Sequence, residues 1–347
     1  MQIVRTLVIG LLLVAFAQSA LAKKDSPHVT LMTHDSFAVS QTLLDSFSTE
    51  HGFEIKILKS GDAGAALNQA ILSRNNPLAD VFFGVDNTFL SRALDADIFE
   101  RYASPLLKHI PDALKLDPSN RLLPVDFGDV CLNYDIAWFT QKGLRPPREL
   151  ADLIAPAYKS LTVVQNPATS SPGLAFLFAT IGTYGPDGFL DFWEKLRQND
   201  VYVTNGWSDA YYGKFTRAKG GTRPIVVSYA SSPAAEIYYS DKKLQKAPTA
   251  AVLGSGAAYR QIEFAGVLKG TDKPEWSRKL IDFMLSPAFQ KEIPLHMWVF
   301  PANSLTPLPA LFIEHAQQSQ APVMLSPQEI QNHREDWIEA WTDRVLR

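Results

Sequence analysis

Hydrophobic and polar residues alternate over His28–Thr33 (HVTLMT) and Phe53–Leu58 (FEIKIL), and Ala79–Gly84 (ADVFFG) is a short apolar run. All three read as strands. Between them the apolar spacing turns helical, over Val39–Glu50 and from Ala65 to Arg74. A polar loop ends each strand: His34-Asp35-Ser36-Phe37, Lys59 to Gly64, and Val85-Asp86-Asn87-Thr88, which caps a further helix. Three strand–loop–helix units in under 80 residues predict a parallel, doubly wound sheet.

The pattern changes at Leu122–Asp135 (LLPVDFGDVCLNYD), a longer extended run that reads as a crossing into a second lobe. A short helix follows within Leu144–Leu153. Leu161–Val164 is a buried strand, and Gln165–Gly173 (QNPATSSPG) is a polar turn opening a helix that ends near Tyr184-Gly185-Pro186. Thr169, Ser170 and Ser171 are residue types that cap helix starts, and Pro172 suits an early helical position. Such a turn offers free backbone N–H groups and hydroxyls at a sheet's carboxyl edge, where open α/β folds bind polar or anionic ligands. A well-capped surface helix would have the same sequence.

Further on, Gly188–Gln198 reads as a helix, Val201–Thr204 and Pro224–Ser228 as strands, and Gln261–Leu268 as the strand returning to the first lobe. Glu275–Leu285 and Pro287–Ile293 read as helices, His296–Pro301 as extended, and Pro327–Arg347 as a single helix.

Met1, Arg5, the apolar run Leu7–Ala17 and the small-x-small site Ala20-Leu21-Ala22 read as a secretory signal peptide, residues 1–22, too short to span a membrane. No cysteine near this site suggests a lipid anchor, so a soluble protein outside the cytoplasm is expected. The remaining 325 of 347 residues exceed one typical core, which implies two lobes. The formal charge of −3, or −4 without Arg5, gives no support for nucleic-acid binding. Cys131 is the only cysteine, so no internal disulfide is possible, and its Val-Cys-Leu setting reads as a buried strand.

The loops at strand ends gather His34–Ser36, Gly61–Ala63, Asp86-Asn87, Ser170-Ser171, Gly206–Tyr212 and Tyr229–Ser232, with Trp298 entering late. Aromatic faces with carboxylates suit a flat organic cation. Each residue also has a structural reading: Trp207 in a core, Asp62 in a turn, Asp86 as a cap. No nucleophile elbow, P-loop, HExxH, paired CxxC or EF-hand loop occurs, and the seven histidines lack metal-ligand spacing.

At this point the chain resembles the periplasmic solute-binding proteins of thiamine ABC transporters, relatives of ferric-ion and polyamine binders. The segments that carry the resemblance are HDSFA (34–38), ADVFFGVDN (79–87), VDFGDVCLNYD (125–135), QNPATSSPGL (165–174), NGWSDAY (205–211), VVSYASSP (226–233), LSPAFQKEIP (285–294) and WVFP (298–301). The resemblance implies an α/β, two-lobed periplasmic-binding-protein-like fold of type II. Each lobe would be a mostly parallel sheet flanked by helices, with two crossover strands at the hinge. Lobe one is expected at 23–124 plus 258–305 and lobe two at 125–257. Residues 306–347 form a helical segment of unassigned lobe.

By resemblance, ligand contacts fall on Asp62, Ala63, Ser170, Ser171, Trp207, on Tyr229, Ala230, Ser231, Ser232, Pro233, and on Trp298, with His34 and Tyr211 as further candidates. The ligand implied is thiamine, its phosphates or a related small cation, with no cofactor, and the partners implied are an ABC permease and its ATPase, served by a monomer. Three stacking partners depart from the family. His34 replaces a tyrosine, a tryptophan-containing insertion after that loop is absent, and Ala235 replaces a second tyrosine. At about 0.5–2 kcal/mol per cation–π contact, these differences bear on ligand and affinity. Two other readings stay open: a ferric-ion binder using Tyr211 and Tyr212, and an exported serine hydrolase using Ser170 or Ser231.

Overall fold

A computed structural model describes residues 26–240 and 244–347. The expected signal peptide lies outside the described residues. The chain opens with β1 (His28–Thr33), α1 (Gln41–His51), β2 (Glu54–Lys59), α2 (Ala63–Leu72), β3 (Val81–Asp86) and α3 (Leu90–Asp95). Local chemistry sets their ends. The Ser40 hydroxyl accepts from Leu43 N–H at the start of α1, and Gly52 closes that helix in the left-handed region. Asp62 caps α2 by accepting from the N–H of its first residue, Ala63. A long strand β4 (Leu123–Asp135) follows, then α4 (Ile136–Lys142), β5 (Thr162–Gln165), α5 (Ser171–Gln198), β6 (Tyr202–Thr204) and the single turn α6 (Trp207–Asp209). Next come β7 (Ile225–Tyr229), α7 (Ser232–Tyr238), β8 (Thr249–Val252) and β9 (Ala258–Val267). The chain ends with α8 (Pro274–Leu285), α9 (Pro287–Gln290), α10 (Ile293–His296), β10 (Phe300–Pro301), α11 (Ala310–His315) and α12 (Pro327–Val345).

One curled sheet runs β2-β1-β3-β9-β4-β7-β5-β6, with β8 and β10 also on β4. Its two ends are parallel triplets, β2-β1-β3 and β7-β5-β6. Between them β9 runs antiparallel to β3 and β4, and β4 antiparallel to β7. The crossover strands β4 and β9 therefore belong to both lobes. Strand β3 is buried along its whole length, as a central strand covered on both faces should be.

The tail spans both lobes. Helix α12 packs on α5 and on α3. Its Trp341 meets Trp193 edge to face at 5.4 Å, and its Arg334 lies 4.6 Å over the Phe89 ring at the start of α3. The linker before it adds Val323 to the edge of β9 by backbone hydrogen bonds with Ala258 and Arg260.

Several sequence expectations shift. Helices α4 and α7 and strand β8 were not anticipated, and β9 begins at Ala258 rather than Gln261. His296–Pro301 is not extended. His296 ends α10, Trp298 takes φ +61, and only Phe300–Pro301 pairs with β4. The expected helix Pro287–Ile293 splits into α9 and α10. Gly206–Tyr212, read as a loop, is the turn α6 widening into a π turn over Ala210–Lys214. Gly185, with φ 75 and ψ 168, and Pro186 break α5 where two helices were expected. Cys131 is fully buried, and burial pushes its thiol well above the ordinary range, so it is an inert core residue. Among the described residues no helix is long and apolar enough to cross a membrane.

Candidate functional site

A cavity of about 340 Å³ lies where the carboxyl ends of β1 and β2 face α5, α6 and α7. That volume suits a small organic ligand. Of the residues singled out in the sequence, His34, Asp35, Ser36, Asp62, Ala63, Ser171, Trp207, Ser208, Tyr211, Tyr212, Tyr229, Ser232, Ala235 and Trp298 line it.

Asp62 sits where α2 begins. Its Oδ1 accepts from Ala63 N–H at 2.9 Å and its Oδ2 from Trp207 N–H at 3.1 Å. Burial pushes its carboxyl above the usual carboxylate range, while the Ser170 hydroxyl and these two N–H groups pull it down. Trp207 is held by its own indole, whose N–H donates to Ser228 Oγ at 3.0 Å. Ser228 Oγ in turn bonds Ser232 Oγ at 2.8 Å. The Trp207 and Tyr211 rings stack 4.9 Å apart, with Tyr212 edge-on.

Trp298 faces this wall from lobe one. Its backbone adopts φ +61, a strained conformation for a bulky residue, and its carbonyl accepts from Ser231 Oγ. Its indole N–H donates to Tyr239 Oη at 3.3 Å, and the rings of Tyr238 and Tyr239 flank it. Tyr239 follows Ala235 by one helical turn, and both line the cavity.

The floor is polar. Tyr229 donates to Gln261 Oε1 at 2.6 Å, and Gln261 Nε2 donates to Ser171 Oγ at 2.7 Å and to Asp86. Asp86 also accepts from Thr88 at the end of β3. Beside them His34 Nε2 lies 3.4 Å from Glu263 Oε1. The His34 ring packs 5.5 Å from Phe83, in a notch left by Gly84. Gly84 bulges out of the β3–β9 register at φ +106, and a Cβ there would lie 2.5 Å from His34 Cδ2. Glu263 pairs across the sheet with Asp126, whose carboxyl is fully buried. Burial and the Glu263 carboxylate push Asp126 well above the ordinary range. Burial opposes protonation of His34, yet Glu263 raises it above the ordinary imidazole value. Glu263, in turn, is opposed by burial and lowered by His34, which keeps it ionised.

Other expected positions lie outside the cavity wall. Ser170 is buried beneath it, and its carbonyl accepts the first α5 bond from Leu174. Ala230 is buried with its N–H on Asp129, Ser231 is spent on the Trp298 carbonyl, and Pro233 is buried in the first turn of α7. Asp86 and Asn87 are buried in the polar network between β3 and β9. Neither Ser170 nor Ser231 hydrogen-bonds a histidine among the described residues. The Tyr211 hydroxyl donates to Glu236 at 2.7 Å, and burial pushes it well above the usual phenol range. Among the described residues no cluster of three His, Cys, Asp or Glu could hold a metal ion. Sequence reasoning missed Glu263 and Tyr239. The Glu263 carboxylate inside the apolar crossover QIEFAGV was a usable signal, because a buried charge needs a partner.

Two lobes joined by paired crossover strands, with a polar and aromatic cavity between them, define a type II periplasmic-binding-protein fold. The chain belongs to the bacterial extracellular solute-binding protein family, whose model matches residues 76–326. It is 33% identical over 342 residues to the thiamine-binding periplasmic protein of Salmonella typhimurium, covering 97% of this chain and 98% of the relative. A solved periplasmic thiamin binding protein superposes with a TM-score of 0.81 at 30% identity, covering 93% of this chain and 97% of that one. Iron-bound HitA of Pseudomonas aeruginosa superposes at 0.73 with 19% identity, a likeness of fold alone.

Proposed function

We propose that this chain is the extracytoplasmic binding component of an ABC importer, and that it captures thiamine or its phosphates for delivery to a permease and its ATPase. The observation that carries this reading is a cavity wall combining Trp207, Tyr211, Tyr229 and Trp298 with the carboxylates of Asp62 and Glu263. Aromatic faces and acidic groups together suit the thiazolium cation and the aminopyrimidine ring. The names of the similar proteins support the same ligand. In this reading no bond is broken, the chain acts as a monomer, and binding encloses the ligand by hinge motion. Lobes 23–124 plus 258–305 and 125–257 would be the moving bodies, with the tail touching both. An iron reading finds less support, because the Tyr211 hydroxyl is engaged by Glu236 and held protonated. A hydrolase reading lacks a histidine at either serine.

Titration of thiamine into the mature protein, followed by tryptophan fluorescence, tests the proposal, with ferric citrate and spermidine in parallel. Saturable quenching by thiamine at micromolar or lower concentration, lost in Trp207→Ala, is the expected result. A tyrosinate–iron absorption band without a thiamine response would overturn it.

A further inference from the structure

Glu263, His34 and Asp126 form a buried row on three elements that meet at the hinge. Glu263 and Asp126 stand opposite each other on the two crossover strands, and His34 ends the first strand of lobe one. Only Glu263 and His34 reach the cavity. Their side chains are about a tenth exposed, so the pair interacts with little help from water. The other titratable or charged groups facing the row are Lys59 on β2, Asp62 at the start of α2, Asp86 on β3 and the Tyr229 hydroxyl on β7. Lys59 disfavours a charged His34, and Asp62 favours it. Phe83 and Gly84, packed on the ring, bring no charge.

We infer that Glu263 is the anchor for the positive charge of the ligand, and that protonated His34 holds this anchor until the ligand arrives. A cation entering beside Glu263 then meets the His34 imidazolium in the same low-dielectric space. Two cations share one carboxylate, because Asp126 is fully buried and does not line the cavity, and burial and Glu263 both favour its neutral form. The permanent cation cannot lose its charge, so His34 does: the proton leaves the imidazole for solvent and the ring remains neutral. The inference rests on the organic-cation reading given above. It goes further by assigning a specificity residue and a proton to the capture step.

The sign follows from linkage. His34 binds its proton more tightly before capture than after it. Affinity for the cation is therefore highest above the His34 midpoint of the ligand-free protein. It falls by up to tenfold per pH unit below that midpoint, until the bound protein also takes up the proton.

Isothermal titration of the wild-type chain with thiamine from pH 5.5 to 8.5, in buffers of different protonation enthalpy, counts the released protons. Release approaching one proton per thiamine is expected on the acidic side of the midpoint. His34→Gln should bind with a shallower pH profile than the wild type and exceed it at pH 5.5. Glu263→Gln should lose at least tenfold at every pH. Histidine NMR of the ligand-free protein gives a separate readout: the His34 midpoint should exceed 6.5 and drop in Glu263→Gln. Should a variant fail to fold, proton release and the His34 midpoint of the wild type decide. Thiamine binding without proton release, a His34→Gln profile like the wild type, or a His34 midpoint at or below 6.5 would overturn the anchor alone. A wild-type chain that binds no thiamine at any pH overturns the thiamine reading, and the anchor with it.

Discussion

The backbone N–H of Trp207 donates to Asp62 Oδ2 at 3.1 Å, across 145 positions of sequence and from one lobe to the other. The same carboxylate caps α2 through Ala63. One side chain thus starts a helix in lobe one and fixes the first residue of the aromatic wall in lobe two. Asp62→Ala should lose the cap, about 1 kcal/mol of stability. It should also weaken thiamine binding by more than the few-fold change of a surface substitution. Thermal unfolding and fluorescence titration of one preparation would separate the two effects. Unchanged affinity would show that the bond between the lobes does not shape the cavity.

Tyr239 is the aromatic that this chain places beside Ala235, one turn further along α7. Removing it in Tyr239→Ala should cost about 0.5–1.5 kcal/mol of binding, or 2- to 10-fold in Kd. Tyr239→Phe should retain most of the affinity if the ring face matters. Restoring a tyrosine at 235 in the Tyr239→Ala background should recover part of the loss. Wild-type affinity in Tyr239→Ala would count against any stacking role.

Trp298 carries its ring on a backbone with φ +61, which glycine adopts freely and other residues at a cost of about 1–3 kcal/mol. Trp298→Gly should therefore unfold at a higher temperature than Trp298→Ala, while both bind thiamine poorly. The reverse order of melting temperatures would argue that this backbone relaxes once the indole is gone.

The stability of the ligand-free protein should decline from pH 5.5 to pH 8. Burial raises the Asp86 carboxyl to about 6 and pushes Asp126 up as well, so both bind protons more tightly folded than unfolded. His34 is also raised, so its contribution is complete below the unfolded imidazole value and is lost as pH climbs through the folded value. Glu263 is shifted downward, and the stability it contributes is lost only under more acidic conditions. Melting temperatures across this range check the sum. A midpoint that rises toward pH 8 would contradict the assigned protonation of the row.

Gly84→Ala tests the notch. The added methyl would meet His34, and φ +106 is costly for alanine. The variant should lose more than 1 kcal/mol of stability and displace the histidine NMR signal of His34. A variant with wild-type stability and an unmoved signal would show that the bulge is not needed to seat the ring.

Fold class was legible because it rests on periodicity. Strands β1, β3 and β5 alternate or run apolar, glycines and prolines punctuate them, and both crossovers stand out by length and burial. Parts whose geometry depends on distant packing were not legible. His296–Pro301 carries strand-forming residues, yet the short helices before it and the Ser231 hydrogen bond turn Trp298 into a left-handed corner. Ala235 read as a missing ring because local sequence does not say that Tyr239 sits on the same helical face. Ser170, Ala230, Ser231 and Pro233 have the residue types of a binding loop, but hydrogen bonding and burial turn them away from the cavity. Glu263 stood out as a charge in an apolar strand, but its neighbours say nothing of His34, the partner it meets from the end of β1.

The pairing of β3 with β9 also governs how the chain can be made. Val81–Asp86 is a wholly buried, apolar strand whose antiparallel neighbour is Ala258–Val267, well over a hundred residues downstream. Until that neighbour has been synthesised, lobe one carries a bare hydrophobic edge, the feature that invites pairing with other chains. A chain truncated before residue 258 should therefore be recovered as aggregate rather than as a folded first lobe. In the intact protein the same edge stays unpaired until the last quarter of the sequence arrives.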